Sequence, residues 1–470
     1  MENISKIDWY YWPVRERSPL LLYLIYHGPT VVSLPGMKLF INTNGSCCNQ
    51  ILTKKSELLR HGRIIWNKFS ADNSFLLKVF NNAYVKFGKD LKKWQALPKL
   101  NYSEMSDLKL LNLYQSYVKN LLEYSAYLYI PITVDERLEA EVKKQFSNES
   151  DYINIYDAIM TPIKESALLA EKISLLKIAC GKKISPMDIL RHIEKYGFLK
   201  RRGFFLDFFN EKYYLGKIKK NKAPQARLNQ LQAELFEKKK IFRQMLKKYG
   251  KTRYLRNLIL TVNEAVYFRT WRLDVIFYSS YFIQNLFDEI AKRTGLKSGK
   301  EAVYLLPSEV EDCLKNGLKP QRNLISQRKK AYVYITFGPK RGLVLQGADA
   351  IKIKKQLKIA EATVADMVKG NTAYKGRVKG KATLFFSGDS YKKLNVAEIL
   401  ITHSTSPEMT PYFKNIKAIV SEEGGITSHP ALISREMKIP CVIGAKFATK
   451  IFKDGDIVEV DANRGIATKI

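Results

Sequence analysis

Histidine is scarce in this chain, with five among 470 residues. Cysteine is equally scarce. Cys47, Cys48, Cys180, Cys313 and Cys441 form no CxxC pair and no metal-ligand spacing. An odd, scattered set argues against a disulfide framework and points to reduced thiols in a reducing compartment. No metal site is expected. Long apolar runs are also lacking. The run Pro19 to Tyr26 is too short to span a bilayer. Acids and bases mix before it, unlike the order of a signal peptide. The reading is a cytoplasmic protein with no membrane segment.

Acid is short relative to base: 45 Asp and Glu against 79 Lys and Arg, a formal net charge of +34. Residues 371–470 hold fifteen bases and ten acids, net +5, so +29 falls in residues 1–370. A polyanionic partner is one reason for such an excess. A Lys-rich solvated surface is the plainer reason and the preferred one. Hydrophobic residues make up 46% of the chain, enough for sizeable cores and unlike a disordered composition. The length suits three domains, or two with one large.

The pattern of elements changes near Gly370. Residues 1 to about 95 are mixed, and "TVVSLPGMKLFINTNGS" reads as strand, turn, strand. From Ser103 to Leu175, apolar residues recur every three or four positions, which predicts helices. Ser185 and Pro186 suit the cap and first position of a helix. Pro224 opens a long helix that stops at Gly250, and a second helix or close pair runs from about Tyr254 to Gly295. "YVYITF" predicts a strand. After Gly370 the elements are short: strands in "GRVKGKATLFF", "AEILIT", "IKAIVS", "IPCVIG", "IVEVDA" and "IATKI", with "SHPALISREM" a helix. The fold class expected is α+β. A mainly helical body fills 1–370, with a possible subdivision near 100, and a compact α/β unit fills 371–470.

His429 stands out among the five histidines. It follows a predicted strand, Glu423, Gly424, Gly425, Ile426, Thr427 and Ser428, and it opens a predicted helix. Thr427 or Ser428 suits the helix cap, and Pro430 fits the first turn, where no N–H is needed. Free amides and the positive dipole end favour an anion there and disfavour imidazolium. Gly424 and Gly425 allow close backbone approach. A neutral imidazole in that place is a nucleophile, and a phosphoryl group on it would sit where a helix end holds anions. The chemistry indicated is covalent catalysis through phosphohistidine. A helix-end histidine after a tight turn is the bland alternative.

The segments "KGRVKG", "AEILITHSTSPEMTP", "AIVSEEGGITSHPALISREMKIPCVIGA" and "FKDGDIVEVDANRG", in that order over Tyr374 to Ile470, resemble the mobile phosphohistidine domain of the phosphoenolpyruvate-utilising enzymes. That family includes phosphoenolpyruvate synthase, pyruvate phosphate dikinase and rifampicin phosphotransferase. The resemblance implies a swivelling β/β/α domain in which His429 carries the phosphoryl group. It implies that Thr427, Ser428 and Arg435 shape the site. Pro430 and Ser434 depart from the family's usual alanines. Glu423 could orient His429, and His403 reads as a loop residue. His27, His61 and His192 read as structural.

The stretch "NEAVYFRTWRLDVIFYSSYFIQNLFDEIAKRTGL" resembles the acceptor-binding body of such proteins more loosely, and "EKYGFLKRRGFFLDFF" lacks the His, Pro and Trp of the family's pattern there. Glu264, Arg269 and Arg272 share one predicted helix. They line an acceptor pocket or form helix-face ion pairs, and the ion-pair reading is slightly preferred. Residues 1–370 show no phosphate loop of the GxxxxGK type and no ATP-grasp pattern, and the expectation is a chain without the phosphoenolpyruvate barrel. The expectation is a phosphotransferase component. A separate ATP-grasp protein would load His429 from ATP and Mg2+ in trans. The phosphoryl group would pass to a small-molecule acceptor on the helical body, with no cofactor bound by this chain itself. The alternatives are a non-catalytic phosphocarrier or regulatory relic, and a basic nucleic-acid-binding protein.

Overall fold

The structure is a computed structural model. It describes residues 9–11, 15–16, 19–21, 23–24, 39–44, 48–181, 183–200, 208–321, 323–336, 342–356, 366–386, 389, 391–405, 407–424 and 428–470. Two compact units emerge. One gathers residues 1–17, 38–58 and 326–470; the other gathers 18–37 and 59–325. Among the described residues no helix is long and apolar enough to cross a membrane.

The larger unit is helical. Its main rods are Phe75–Ala96, Asp107–Ala126, Tyr129–Phe146, Ala167–Ala179, Pro186–Tyr196, Glu211–Lys219, Pro224–Tyr249, Arg253–Phe282 and Gln284–Thr294. The punctuation expected from the sequence is present. Ser185 Oγ accepts from Met187 N at 3.2 Å, with Pro186 opening the helix. Gly250 ends the helix that Pro224 begins. The close pair separates at Ile283 and stops at Gly295, whose φ of +76° favours glycine.

The other unit holds two sheets. The first is antiparallel and draws on distant parts of the chain. It comprises β1 (Trp9–Tyr11), β2 (Arg15–Glu16), β3 (Leu39–Asn44), β4 (Cys48–Lys54), β5 (Tyr332–Thr336) and β6 (Gly342–Gln346), in order β1-β4-β3-β5-β6 with β2 also on β4. The predicted strand at Thr30–Leu34 lies outside the described residues.

The second sheet carries the site. Its strands are β7 (Met367–Lys369), β8 (Asn371–Tyr374), β9 (Arg377–Phe385), β10 (Ile399–Thr402), β11 (Ala418–Ser421), β12 (Cys441–Ile443), β13 (Ile457–Asp461) and β14 (Ile466–Lys469). The order is β7-β14-β13-β9-β10-β11-β12-β8. β9 to β12 run parallel, and the flanking pairs are antiparallel. Both faces of the central strands are covered. Ile399, Ile401, Ala418 and Val420 enter one core with Val442, Phe452 and Val458. Leu400 and Ile419 enter the other, with Ala431 and Ile433 of the helix His429–Met437. Burial on both faces is why "ILIT" and "AIVS" read as continuous apolar runs rather than alternating ones.

Candidate functional site

The parallel strands β10, β11 and β12 end at one edge of the sheet, the edge where ligands of α/β sheets usually sit. His403, Glu422 and Gly444 follow these strands directly, and the helix that starts at His429 leaves from the same connection. Glu422 N bonds Thr402 O at 3.0 Å, and Glu423 N bonds His403 O at 2.8 Å. The loops after β10 and β11 are therefore tied to each other beyond the regular ladder.

His429 is the first residue of a nine-residue helix, with Pro430 behind it and Ser428 in the cap position. Thr405 Oγ1 lies 2.6 Å from His429 Nδ1. Thr405 is buried, so the ring nitrogen is held by a fixed hydroxyl rather than by water. A second helix-end feature departs from expectation. Ser428 takes the extended cap conformation, φ −64° and ψ 157°, yet its side chain makes no capping bond. A cap side chain bonds the amide of the second or third helical residue. Pro430 is the second and has no N–H. The Ser428 hydroxyl is fully buried and has no hydrogen-bond partner among the described residues.

The glycines behave as the sequence suggested in part. Gly424 and Gly444 approach each other so closely that a Cβ on either meets the other's Cα at 3.3 Å, and Gly444 has φ +68°. Gly425 and Thr427 lie outside the described residues. Glu423 is buried and accepts from Ser404 Oγ, whose neighbour Thr405 holds His429. That described bond links Glu423 to the Ser404–Thr405 loop. Arg435 sits in the last turn of the helix, about 9 Å along the axis from His429. Its charge is felt at the buried Cys441.

His403 is more than a loop residue. Its Nδ1 lies 2.5 Å from Glu422 Oε2, and Glu422 Oε1 accepts from Thr449 N at 2.9 Å and Thr449 Oγ1 at 2.7 Å. Burial pushes the Glu422 carboxyl up, but the bonds from His403 and Thr449 outweigh it, and the net direction is down. Sequence reasoning missed Thr405, Ser404 and the partner of His403. The signal was the hydroxyl run "THSTS" after β10, whose register against β11 only the fold supplies.

The three residues expected near an acceptor are engaged in the helical unit. Glu264 accepts from Tyr84 OH and from Lys164 Nζ at 2.6 Å. Arg269 pairs with Asp135, and Arg272 donates to Leu128 O at 3.1 Å and to Arg269 O. Glu264 and Arg269 form their described side-chain contacts with groups on other segments rather than with one another.

The family model described as PEP-utilising enzyme, mobile domain, matches residues 394–465. That span contains β10 to β13, the Thr405–His429 contact and the Gly424–Gly444 approach. Residues 394–465 are thus similar to the mobile domain of the phosphoenolpyruvate-utilising enzymes. Curated relatives are similar over part of the chain. The Archaeoglobus fulgidus protein named Probable phosphoenolpyruvate synthase is 40% identical over 129 residues, 26% of this chain and 17% of the relative. Phosphoenolpyruvate synthase of Pyrococcus furiosus is 38% identical over 130 residues, 27% of this chain and 16% of the relative. A chondramide synthase of Chondromyces crocatus is 30% identical over 228 residues, 47% of this chain and 6% of the relative. That last stretch is longer than 371–470, so part of it falls in residues 1–370. The similarity spans less than a fifth of each of these relatives.

Proposed function

We propose that His429 accepts a phosphoryl group on Nε2 and passes it to a small-molecule acceptor bound by the helical body. The contact between Thr405 Oγ1 and His429 Nδ1 carries this reading. With the hydroxyl accepting from Nδ1–H, the imidazole is neutral and its nucleophilic lone pair is on Nε2. The lone pair attacks phosphorus, the donor's P–O bond breaks, and the Nδ1 proton stays on the Thr405 bond. In the second half, an acceptor oxygen attacks phosphorus, the P–N bond breaks, and the acceptor's proton leaves to solvent. The helix amides favour the dianion at this end. The buried Ser428 hydroxyl supplies a donor for a phosphoryl oxygen, which would complete its missing bond.

The donor is ATP, loaded in trans by an ATP-grasp protein. Among the described residues no group of three or more His, Cys, Asp or Glu gathers to hold a metal. In this reading Mg2+ would accompany the nucleotide, and no step above runs through it.

The test is to incubate the full chain with ATP, Mg2+ and an ATP-grasp protein encoded beside it, then locate acid-labile phosphate. Label on His429 that His429→Ala abolishes supports the proposal. A chain that stays unlabelled with each such protein sinks it. Label that only hydrolyses, with no transfer to any hydroxylated or carboxylated metabolite, would favour the phosphocarrier alternative.

A further inference from the structure

A hollow of about 600 Å³ opens where the helix Glu211–Lys219 turns into the helix Pro224–Tyr249. Lys217, Lys220, Asn221, Arg227 and Gln230 line it with two alanines, and no acid does. The surrounding segment, residues 211–256, holds fifteen bases against three acids.

The three cations differ in their partners. Arg227 Nη1 donates to the neutral Gln230 Oε1 at 2.6 Å, and Lys220 makes no ion pair among the described residues. Neither charge is compensated locally. Lys217 is anchored from behind, its Nζ 3.3 Å from Glu171 Oε1. Glu171 is buried, His192 Nε2 lies 3.7 Å from the same oxygen, and Ser174 Oγ lies 3.0 Å from His192 Nδ1. A buried carboxylate is costly unless it is paired, so the Glu171–Lys217 contact holds the ammonium in one place. Burial pushes the Lys217 ammonium down, but Glu171 and Tyr213 together outweigh it, and the net direction is up. Ala223 and Ala226 leave room between the cations, and Asn221 adds an amide donor, while Gln230 Nε2 is turned away to Glu234 Oε1 at 2.8 Å.

We propose that this hollow is a binding site for a small phosphorylated metabolite, with Lys220 and Arg227 on its phosphate oxygens and Lys217 as a fixed cation in the wall. Paired donors on neighbouring side chains suit a multiply charged group better than a single carboxylate. The site lies wholly in the helical unit and is independent of phosphate on His429.

Inorganic pyrophosphate is the probe, titrated calorimetrically into the full chain at two salt concentrations. The unmodified chain should saturate at one site. Lys220→Gln with Arg227→Gln should weaken binding at least about tenfold, because two charge-assisted contacts are removed. Lys247→Gln with Lys248→Gln removes the same charge from the far end of the same helix and should leave the affinity unchanged. All four side chains are exposed, so circular dichroism should show both variants folded. Equal weakening in the two double variants, or binding that never saturates, would overturn the proposal in favour of diffuse attraction. A single-stranded oligonucleotide that binds more tightly than pyrophosphate and weakens equally in both variants would do the same, pointing to a nucleic-acid face.

Discussion

His403 Nδ1 and Glu422 Oε2 meet at 2.5 Å across the ends of two neighbouring parallel strands, β10 and β11. The pair pins together the two loops that hold Thr405 and lead to His429. Four predictions follow from this edge of the sheet and from the helical unit.

Acid should loosen the mobile domain through Glu422. Its carboxyl ionises below the ordinary 4.5 in the folded chain, so the unfolded chain binds more protons as pH falls. The stabilisation is fully present above pH 4.5 and is lost as pH drops below that through the folded value. Glu422→Gln should cost about 1–3 kcal/mol at neutral pH and flatten the acid limb. Stability measured by urea unfolding from pH 7 to pH 3 tests this. An acid limb unchanged by the substitution would count against it.

Thr405 positions His429 rather than reacting. Thr405→Val should slow phosphorylation of His429 on the order of 100-fold, by releasing the Nδ1 proton that fixes the tautomer. Thr405→Ser should restore most of the rate, which a purely structural loss would not do. The valine variant should also shift the pH profile of labelling, since the ring loses its fixed partner. Quenched-flow measurement of acid-labile phosphate decides the point.

Gly444 has no room for a side chain. Alanine there would force a left-handed backbone and a 3.3 Å contact with Gly424 Cα. The expected cost is about 1–3 kcal/mol, read as a lowered Tm. A Tm within a degree of the original would contradict the close approach.

Arg272 is a packing residue. It is buried, and its described bonds include those to the carbonyls of Leu128 and Arg269. Arg272→Met should destabilise the helical unit by about 1–3 kcal/mol and leave the rate of His429 phosphorylation unchanged. A labelling rate that falls while thermal stability holds would instead place Arg272 in the transfer chemistry.

Much of the sheet that bears the site was legible. Runs such as "ILIT" and "AIVS" announce strands buried on both faces, and Pro430 after Ser428 announces a helix start. Local spacing carries that information because each signal lies within a few residues. The contact between Thr405 and His429 spans 24 positions, and the one between His403 and Glu422 spans 19. Their meeting depends on the register of β10 against β11, which no local pattern encodes. Ser428 takes the cap position, but its side chain makes no capping bond, and Pro430 removes one of the two amides it could reach.

By itself the sequence determined the order of elements, the glycine pair and the placing of His429 at a helix start, because propensity, capping and burial act over short distances. Only the tertiary structure decided which hydroxyl holds that histidine and which acid joins His403. It also decided that β3 and β4 share a sheet with β5 and β6, nearly three hundred residues away. Those choices rest on long-range pairing, whose loop-closure entropy must be met before the contact stabilises anything.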